Sequence, residues 1–221
     1  MTKLTGKQIA EEGLAGWVYF PGGLFSRVPS RDFATGLALV NAIGAAAEEA
    51  NHHPDIDLRY GHVDLRLRSH DVGGVTERDV RLARTISRLA AEVGLQPTVR
   101  GVNELELGLD TPDFKGVLPF WAAVFAADHA QGADVGDEVR DPAGVLPTVW
   151  FQQSGSEEPR QRWHPDVWVD PSEVQPRIDA ALAAGGTLVS DAEAPSFWVL
   201  ADPEGNRVCL CTWQDRGTTW S

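Results

Sequence analysis

The segment 48–79 constrains this chain most, because a proline and a pair of glycines fix where its helices and strands end. Pro54 cannot continue a preceding helix and disfavours helical geometry at His53, while Gly73-Gly74 turns the chain. Among the polar residues of the segment, seven are candidates for a functional site: Glu48, His52, His53, Tyr60, His70, Asp71 and Asp79. Imidazole has an ordinary pKa of about 6.5, so it can both give and take protons near neutrality. The segment therefore predicts an acid/base site.

Hydrophobic spacing predicts a helix that ends beside the paired histidines. Ser30 is the expected N-cap. Apolar residues then recur at spacings of three and four, as one buried helix face requires: Phe33, Leu37, Val40, Gly44 and Ala47. Because of Pro54, we expect His52 in the last turn of this helix and His53 where the chain leaves it.

A strand and a second helix are predicted after a short link. Val63, Leu65 and Leu67 alternate with polar residues, which indicates a half-buried strand with His70 on its polar face. Thr76 with Asp79 three residues later predicts a capping box at the start of the next helix. One helix end, one strand end and one helix start can therefore meet around the histidines.

Each of these residues also has a structural interpretation. A histidine near a helix C-terminus is favoured by the helix dipole, and Asp79 could serve only as a cap. A zinc site is a third interpretation, but adjacent histidines diverge and the usual paired-ligand spacing is absent. The combination favours proton-transfer chemistry over these alternatives.

The pattern Glu48-x3-His52-His53-Pro54-x5-Tyr60-x9-His70-x8-Asp79 resembles the signature of the pterin-4a-carbinolamine dehydratases, over about residues 1–96. The resemblance implies dehydration of a 4a-hydroxytetrahydropterin to the quinonoid dihydropterin, with the pterin as substrate and no metal or other cofactor. The roles that it implies are catalytic for His52, His53 and His70, supporting for Glu48 and Asp79, and substrate-binding for Tyr60 and Ser69. Which histidine is the acid and which the base stays open.

Charge and tryptophan divide the chain into two halves. Residues 1–100 have a net charge of zero, whereas residues 101–221 have a net charge of −13 and contain seven of the eight tryptophans. Gly94, Pro97 and Gly101 mark a linker near this change. We therefore expect one domain at 1–96 and another at 103–221. An acidic surface of this kind argues against a nucleic-acid partner.

The second half repeats a layout of strand, helix and strands, and over about residues 103–216 it resembles the glyoxalase-like members of the vicinal oxygen chelate superfamily. The resemblance implies paired βαβββ modules around a cavity. It also implies candidate metal positions, which are Glu106, Gln152, His164 and Cys209. Because a thiol replaces the usual carboxylate at Cys209, we expect no bound metal. The alternatives are a metal-dependent lyase, isomerase or dioxygenase, and a module that binds a small aromatic or heterocyclic ligand.

The sequence thus predicts an α+β protein, with helices on one face of an N-terminal antiparallel sheet and a paired βαβββ domain at the C-terminus. No apolar run reaches the roughly 20 residues that span a bilayer, and the start leads into no signal-peptide core, so we expect a cytoplasmic protein without membrane contact. We also expect a homodimer or larger assembly, because the strand 60–70 and its neighbour around Trp17 could leave an open sheet edge.

Overall fold

The computed structural model describes residues 2–124, 128–132, 135–141, 144, 146–154, 163–201, 205 and 207–216. The chain forms two compact units, Met1–Val102 and Asn103–Trp220, each with its own sheet. Both units mix helices with a sheet, which confirms the predicted α+β class. Within the described ranges, every helix is too short or too polar to cross a bilayer.

The first unit is an antiparallel sheet with helices packed on it. Its elements are α1 (Gly6–Glu11), β1 (Val18–Phe20), β2 (Gly23–Pro29), α2 (Phe33–Ala50), β3 (Asp55–Arg59), β4 (His62–Leu67) and α3 (Glu77–Glu92). The strands lie in the order β1-β2-β4-β3. Val63, Leu65 and Leu67 are buried as the alternation predicts, and α2 contacts α3, β3 and β4.

Of the face predicted for helix α2, Ala47 is buried but Phe33 and Leu37 are not, so most of the inner face differs from the prediction. Phe33 and Leu37 are 47% and 43% exposed, whereas Leu39 and Ile43 are 1% and 0% exposed. The helix is apolar on most of its circumference, so the spacing alone cannot identify the inner face. Its N-cap is Asp32 rather than Ser30, because the Asp32 carboxylate accepts the Thr35 backbone N–H at 2.7 Å.

Two further corrections concern the strands of the first unit. The expected link after Pro54 contains β3, which pairs with β4 along its whole length. The predicted strand 60–70 is β4, and it lies between β2 and β3 instead of leaving an edge. The sheet edges are β1 and β3.

The second unit contains two successive βαβββ modules. Their elements are β5 (Glu104–Thr111), α4 (Phe114–Val124), β6 (Asp128–Gly132), β7 (Val135–Arg140), β8 (Thr148–Gln153), β9 (Trp163–Trp168), a 3₁₀ turn (Pro171–Glu173), α5 (Val174–Ala183), β10 (Thr187–Ser190), β11 (Phe197–Ala201) and β12 (Arg207–Cys211). The strand order is β10-β11-β12-β9-β5-β8-β7-β6.

The two modules meet at the centre of this sheet. β5 and β9 pair antiparallel, while β5 with β8 and β9 with β12 pair parallel. This register places Glu106 opposite Asp166 and Gly108 opposite His164. Side chains two residues apart on a strand share a face, so each of these strands contributes several residues to one side of the sheet.

Candidate functional site

The position of His52 follows from the way helix α2 ends. Asn51 adopts the left-handed conformation, with φ 45° and ψ 45°, and reverses the chain. The His52 backbone N–H then donates to the Ala47 carbonyl at 3.1 Å, as in a Schellman-type helix end. His52 therefore lies just beyond the helix instead of in its last turn, and the residue is only 8% exposed.

Asp79 is positioned by the start of helix α3. Thr76 is the N-cap, and its backbone N–H donates to Asp79 Oδ2 at 2.7 Å, which confirms the predicted capping box. The same oxygen accepts a hydrogen bond from the Ser69 hydroxyl at 2.7 Å. Asp79 is fully buried, so its carboxylate cannot rotate toward solvent. Its remaining oxygen, Oδ1, is directed at His52.

His52 and Asp79 form a buried dyad, with 2.7 Å between Nε2 and Oδ1. A carboxylate that accepts the N–H of one imidazole nitrogen fixes the tautomer and the orientation of the ring. Nδ1 is then the nitrogen that can exchange a proton with a ligand. Because the helix cap and Ser69 hold Asp79 in place, the dyad is preorganised for this exchange.

The second histidine, His53, lies in a more exposed setting. Its Nε2 is 3.1 Å from Glu48 Oε1, and the two side chains are 54% and 80% exposed. Water screens an exposed pair of this kind, so the interaction between Glu48 and His53 is weaker than the buried contact between Asp79 and His52.

His70 lies in a tight loop between β4 and α3. The loop is closed by a bridge between Ser69 and Gly74, and the Gly73 N–H donates to the Ser69 carbonyl at 2.9 Å. An ion pair between Arg78 and Asp71 joins the loop to α3, and the Arg78 hydrogen bond holds the pKa of Asp71 below its ordinary value. His70 is exposed and directly follows Ser69, whose side chain reaches Asp79.

The structure brings some of the predicted site residues into contact and leaves others apart. Asp79 contacts both His52 and Ser69, and His53 pairs with Glu48. Ser69 is 1% exposed and its hydroxyl lies between Asp79 and Thr76, so it supports the carboxylate. Tyr60, in the turn between β3 and β4, is 76% exposed. The catalytic and substrate-binding roles of these residues remain predictions.

The second unit contains a cavity of about 700 Å³ on one face of its sheet. Aromatic side chains form much of its wall, namely Trp150, Trp163 and Phe197. Trp163 is held edge-to-face by Trp121 at 4.9 Å between ring centroids. A cavity of this size accommodates a small organic ligand.

The polar part of the cavity is built around Asp166. Its Oδ2 accepts the Trp150 indole N–H at 3.1 Å, and its Oδ1 lies 3.6 Å from His164 Nε2. Burial raises the pKa of Asp166, and burial together with the Asp166 carboxylate raises the pKa of the Cys209 thiol to about 12. Cys209 is therefore a neutral thiol near pH 7 and a poor nucleophile.

The expected metal set comes together only in part, because His164 and Cys209 belong to one group of possible ligands and Glu106 does not. Glu106 is buried and its Oε2 accepts the Trp168 indole N–H at 2.8 Å, while Gln152 is exposed at the cavity. In the part of the chain that the structure describes, the ligand atoms that come within 4.8 Å of one another belong to His164, Asp166 and Cys209. The residues at the expected positions thus do not fit the metal that the fold family implies.

Sequence reasoning missed Asp166 as a cavity residue. The signal was present, because Asp166 follows His164 by two positions on a strand and so shares its face. Gly108 was missed as well. A Cβ there would lie 2.6 Å from His164 Cε1 and 2.9 Å from Trp150 Cζ2, so only glycine lets both rings lie over β5.

Each unit is similar to a known protein family. Residues 2–89 match the family model described as Pterin 4 alpha carbinolamine dehydratase, and residues 106–211 match a Glyoxalase-like domain. A relative from Thermomicrobium roseum named "Putative pterin-4-alpha-carbinolamine dehydratase" is 40% identical over 93 residues, which cover 41% of this chain and 100% of the relative. A relative of the same name from Acidobacterium capsulatum is 44% identical over 91 residues, covering 40% and 99%.

Solved structures resemble each half of the chain. A transcriptional coactivator/pterin dehydratase from Brucella melitensis is 30% identical, with a TM-score of 0.39, and covers 40% of this chain and 99% of its own. A glyoxalase/bleomycin resistance protein/dioxygenase superfamily member from Vibrio splendidus is 13% identical, with a TM-score of 0.34, and covers 50% and 99%.

Proposed function

This chain belongs, through residues 2–89, to the pterin-4-alpha-carbinolamine dehydratase family, and from that membership we propose that its first domain converts a 4a-hydroxytetrahydropterin into the quinonoid dihydropterin. The single observation that carries the proposed mechanism is the buried contact between His52 Nε2 and Asp79 Oδ1 at 2.7 Å. The pterin is the substrate, and the proposed reaction uses no cofactor.

Loss of water from a carbinolamine requires two proton movements. The C–O bond at C4a breaks with its electron pair on oxygen, and a proton delivered to that oxygen lets it leave as water. A proton is removed from the adjacent ring nitrogen, and its electron pair forms the new C=N bond. A histidine in the protonated form can supply the first proton, and a neutral histidine can accept the second.

The described geometry supports His52 as one partner in this exchange. Asp79 orients the imidazole through Nε2, which leaves Nδ1 available to the substrate. His70, exposed in the loop that begins at Ser69, is the second proton-transfer residue in this proposal, and His53 contacts the pterin or shares that role. The assignment of acid and base between the histidines stays open.

Single alanine variants test this proposal. We expect His52→Ala and His70→Ala each to lower the dehydration rate by at least about a hundredfold, the usual scale for the loss of a positioned acid or base. His62→Ala is the matched control, because His62 belongs to β4 and faces Asp64 at 3.5 Å. Circular dichroism and urea unfolding would show that each variant is folded.

Rates of His52→Ala and His70→Ala within a few-fold of the parent would contradict the assignment. An equal loss in His62→Ala would also contradict it, since a histidine outside the dyad would then matter as much.

A second candidate function concerns the glyoxalase-like domain. Its aromatic cavity of about 700 Å³ favours a module that binds a small heterocyclic ligand. The cavity includes Asp166 and His164, so it offers polar groups that could orient such a ligand. A metal-dependent activity is the weaker alternative, because Glu106 lies outside the group formed by His164, Asp166 and Cys209, and Cys209 offers a thiol where a carboxylate is usual.

A further inference from the structure

The backbone of the loop 69–74 sets the position of His70, because the His70 side chain itself is exposed. The Ser69 N–H donates to the Gly74 carbonyl at 2.9 Å, which closes the loop. Contacts that hold Gly74 and the following Val75 in place therefore also hold His70.

The N-terminal segment Lys3–Leu4 lies against this end of the loop. The Leu4 N–H donates to the Val75 carbonyl at 2.8 Å. The aliphatic stem of Lys3 covers Gly74 so closely that a Cβ on Gly74 would lie 2.4 Å from Lys3 Cε and 2.8 Å from Lys3 Cγ. Gly74 is buried and its φ lies outside the left-handed region, so the approach of Lys3, and not the backbone angle, requires glycine here.

Helix α1 anchors the N-terminal segment on its other side. The Thr5 side chain accepts the Gln8 backbone N–H at 3.3 Å, and the Gln8 side chain accepts the Thr5 backbone N–H at 2.9 Å, which is a capping box. Ile9 on the same helix is 4% exposed and belongs to the core. The N-terminal segment is thus held between a fixed helix start and the loop, and its contacts can restrain the loop.

The same end of the loop leads into the support of Asp79. Val75 directly precedes Thr76, whose backbone N–H donates to Asp79 Oδ2 at 2.7 Å, and the Ser69 hydroxyl donates to the same oxygen at 2.7 Å. A shift at Val75 would therefore disturb both His70 in the loop and Asp79 in the dyad. A misplacement of about 1 Å can lower a rate about a hundredfold, even when its cause is remote from the chemistry.

We propose that Lys3 and Leu4 are positioning residues of the dehydratase site, which hold the loop 69–74 so that His70 can exchange a proton with the bound substrate. This role rests on the proposed function, in which His70 transfers a proton. Lys3 acts through its stem, which packs on Gly74, and Leu4 acts through its backbone N–H. Neither residue has to touch the substrate, so loss of the contact should lower kcat and leave KM nearly unchanged.

Substitutions on the two sides of the contact between Lys3 and Gly74 test this role in dehydration assays of the full chain. Gly74→Ala places a methyl group where the stem lies, so we expect kcat to fall at least about tenfold with KM within about twofold of the parent. Lys3→Ala should lower kcat at least about threefold. In the double variant the methyl group fills the space left by the stem, so its loss should be smaller than the product of the two single losses.

Two further variants separate the stem from its charge and from general effects. Lys3→Met keeps an unbranched stem without the ammonium group, so we expect it to retain at least about half of the parent kcat. Equal losses in Lys3→Met and Lys3→Ala would overturn the role of the stem. Lys7→Ala, at an exposed position of α1, is the matched control and should behave as the parent does.

Amide hydrogen exchange measures the restraint itself. The Ser69 amide donates across the loop to Gly74, so its exchange should be at least about fivefold faster in Gly74→Ala and Lys3→Ala than in the parent. The Thr98 amide, which donates to the Arg27 carbonyl at 2.8 Å, should exchange at the parent rate, and the urea midpoints should stay close to the parent value. A purely structural contact would instead change Thr98 exchange and the urea midpoint together with kcat.

An active parent whose Gly74→Ala and Lys3→Ala variants keep kcat within about twofold would overturn the positioning role. Losses of kcat that only follow a general loss of stability would overturn it as well. A parent that does not dehydrate the pterin would refute the proposed function and the positioning role with it, whereas unchanged variants of an active parent refute the positioning role alone.

Discussion

Glu106 offers a quantitative test of the energetics of the glyoxalase-like domain. The residue is 5% exposed and its Oε2 accepts the Trp168 indole N–H at 2.8 Å. Burial, together with the charges of Glu104, Asp166 and Glu138, raises the pKa of Glu106 from its ordinary value of 4.5 to about 8. The folded domain therefore retains a proton on Glu106 at pH values at which the unfolded chain has released it.

The sign of the effect follows from this retained proton. The contribution of protonated Glu106 to the free energy of unfolding is fully present below pH 4.5. It is lost as the pH rises through about 8, because the folded state must then hold a buried, charged carboxylate. Each pKa unit corresponds to about 1.4 kcal/mol, so the whole interval is worth at most about 5 kcal/mol. Glu106→Gln removes the charge and keeps an acceptor for Trp168. The free energies of unfolding should be similar at pH 5, and the variant should be more stable by several kcal/mol at pH 9.

Urea unfolding at pH 5, 7 and 9 measures this difference. Tryptophan fluorescence follows the second unit, which holds seven of the eight tryptophans. A gain of about 4 kcal/mol would move the urea midpoint by about 2 M for a slope near 2 kcal/mol/M. Glu193→Gln, at an exposed position, is the control and should follow the parent at every pH. Parallel dependences of unfolding free energy on pH for the parent and Glu106→Gln would refute the reasoning.

Three further predictions address backbone strain, assembly and metal. Gly16→Ala should destabilise the first unit by about 2 kcal/mol or more in urea, because φ is +79° and a Cβ would lie 2.5 Å from the Pro97 carbonyl oxygen. Gly13→Ala, with φ +62° and open space, should cost only about 1 kcal/mol, and equal losses would contradict this. Sedimentation should show a homodimer or larger assembly at micromolar concentration, because Phe33 and Leu37 expose apolar surface on α2. The Leu37→Glu variant should associate more weakly than the parent. A parent protein that sediments as a 24.0 kDa monomer would count against assembly. Chelator should leave dehydration unchanged, and a loss that added metal reverses would overturn the cofactor-free reaction.

Local chemistry explains why much of the first domain could be predicted. A capping box needs only Thr76 and Asp79 at a spacing of three, and a proline after paired histidines ends a helix wherever it occurs. The alternation around Val63 likewise identifies a half-buried strand without knowledge of its neighbours. The gathering of His52 and Asp79 could therefore be inferred from three element ends, although the contact between Nε2 and Oδ1 could not.

Other features depend on partners that the sequence does not reveal. Strand β3 was missed although Ile56 and Leu58 alternate with the exposed charged residues Asp55, Asp57 and Arg59, because two partly buried apolar residues in a run of five give a short signal. The inner face of α2 was misidentified because two apolar stripes have the same spacing, and only packing against the sheet distinguishes Leu39 from Leu37.

The amino-acid pattern alone was enough to predict the α+β class and the resemblance of each half to a known family, and it yielded the hypothesis that histidines of the first domain transfer protons. The burial of the carboxylates of the second domain, and the direction in which their pKa values shift, depend on the tertiary structure. The antiparallel pairing of β5 with β9 sets Glu106 opposite Asp166, 60 residues later in the chain, and buries both. The direction of a side chain on a strand is local, but the groups that surround it, and so its pKa and its hydrogen-bond partners, come from strands distant in sequence.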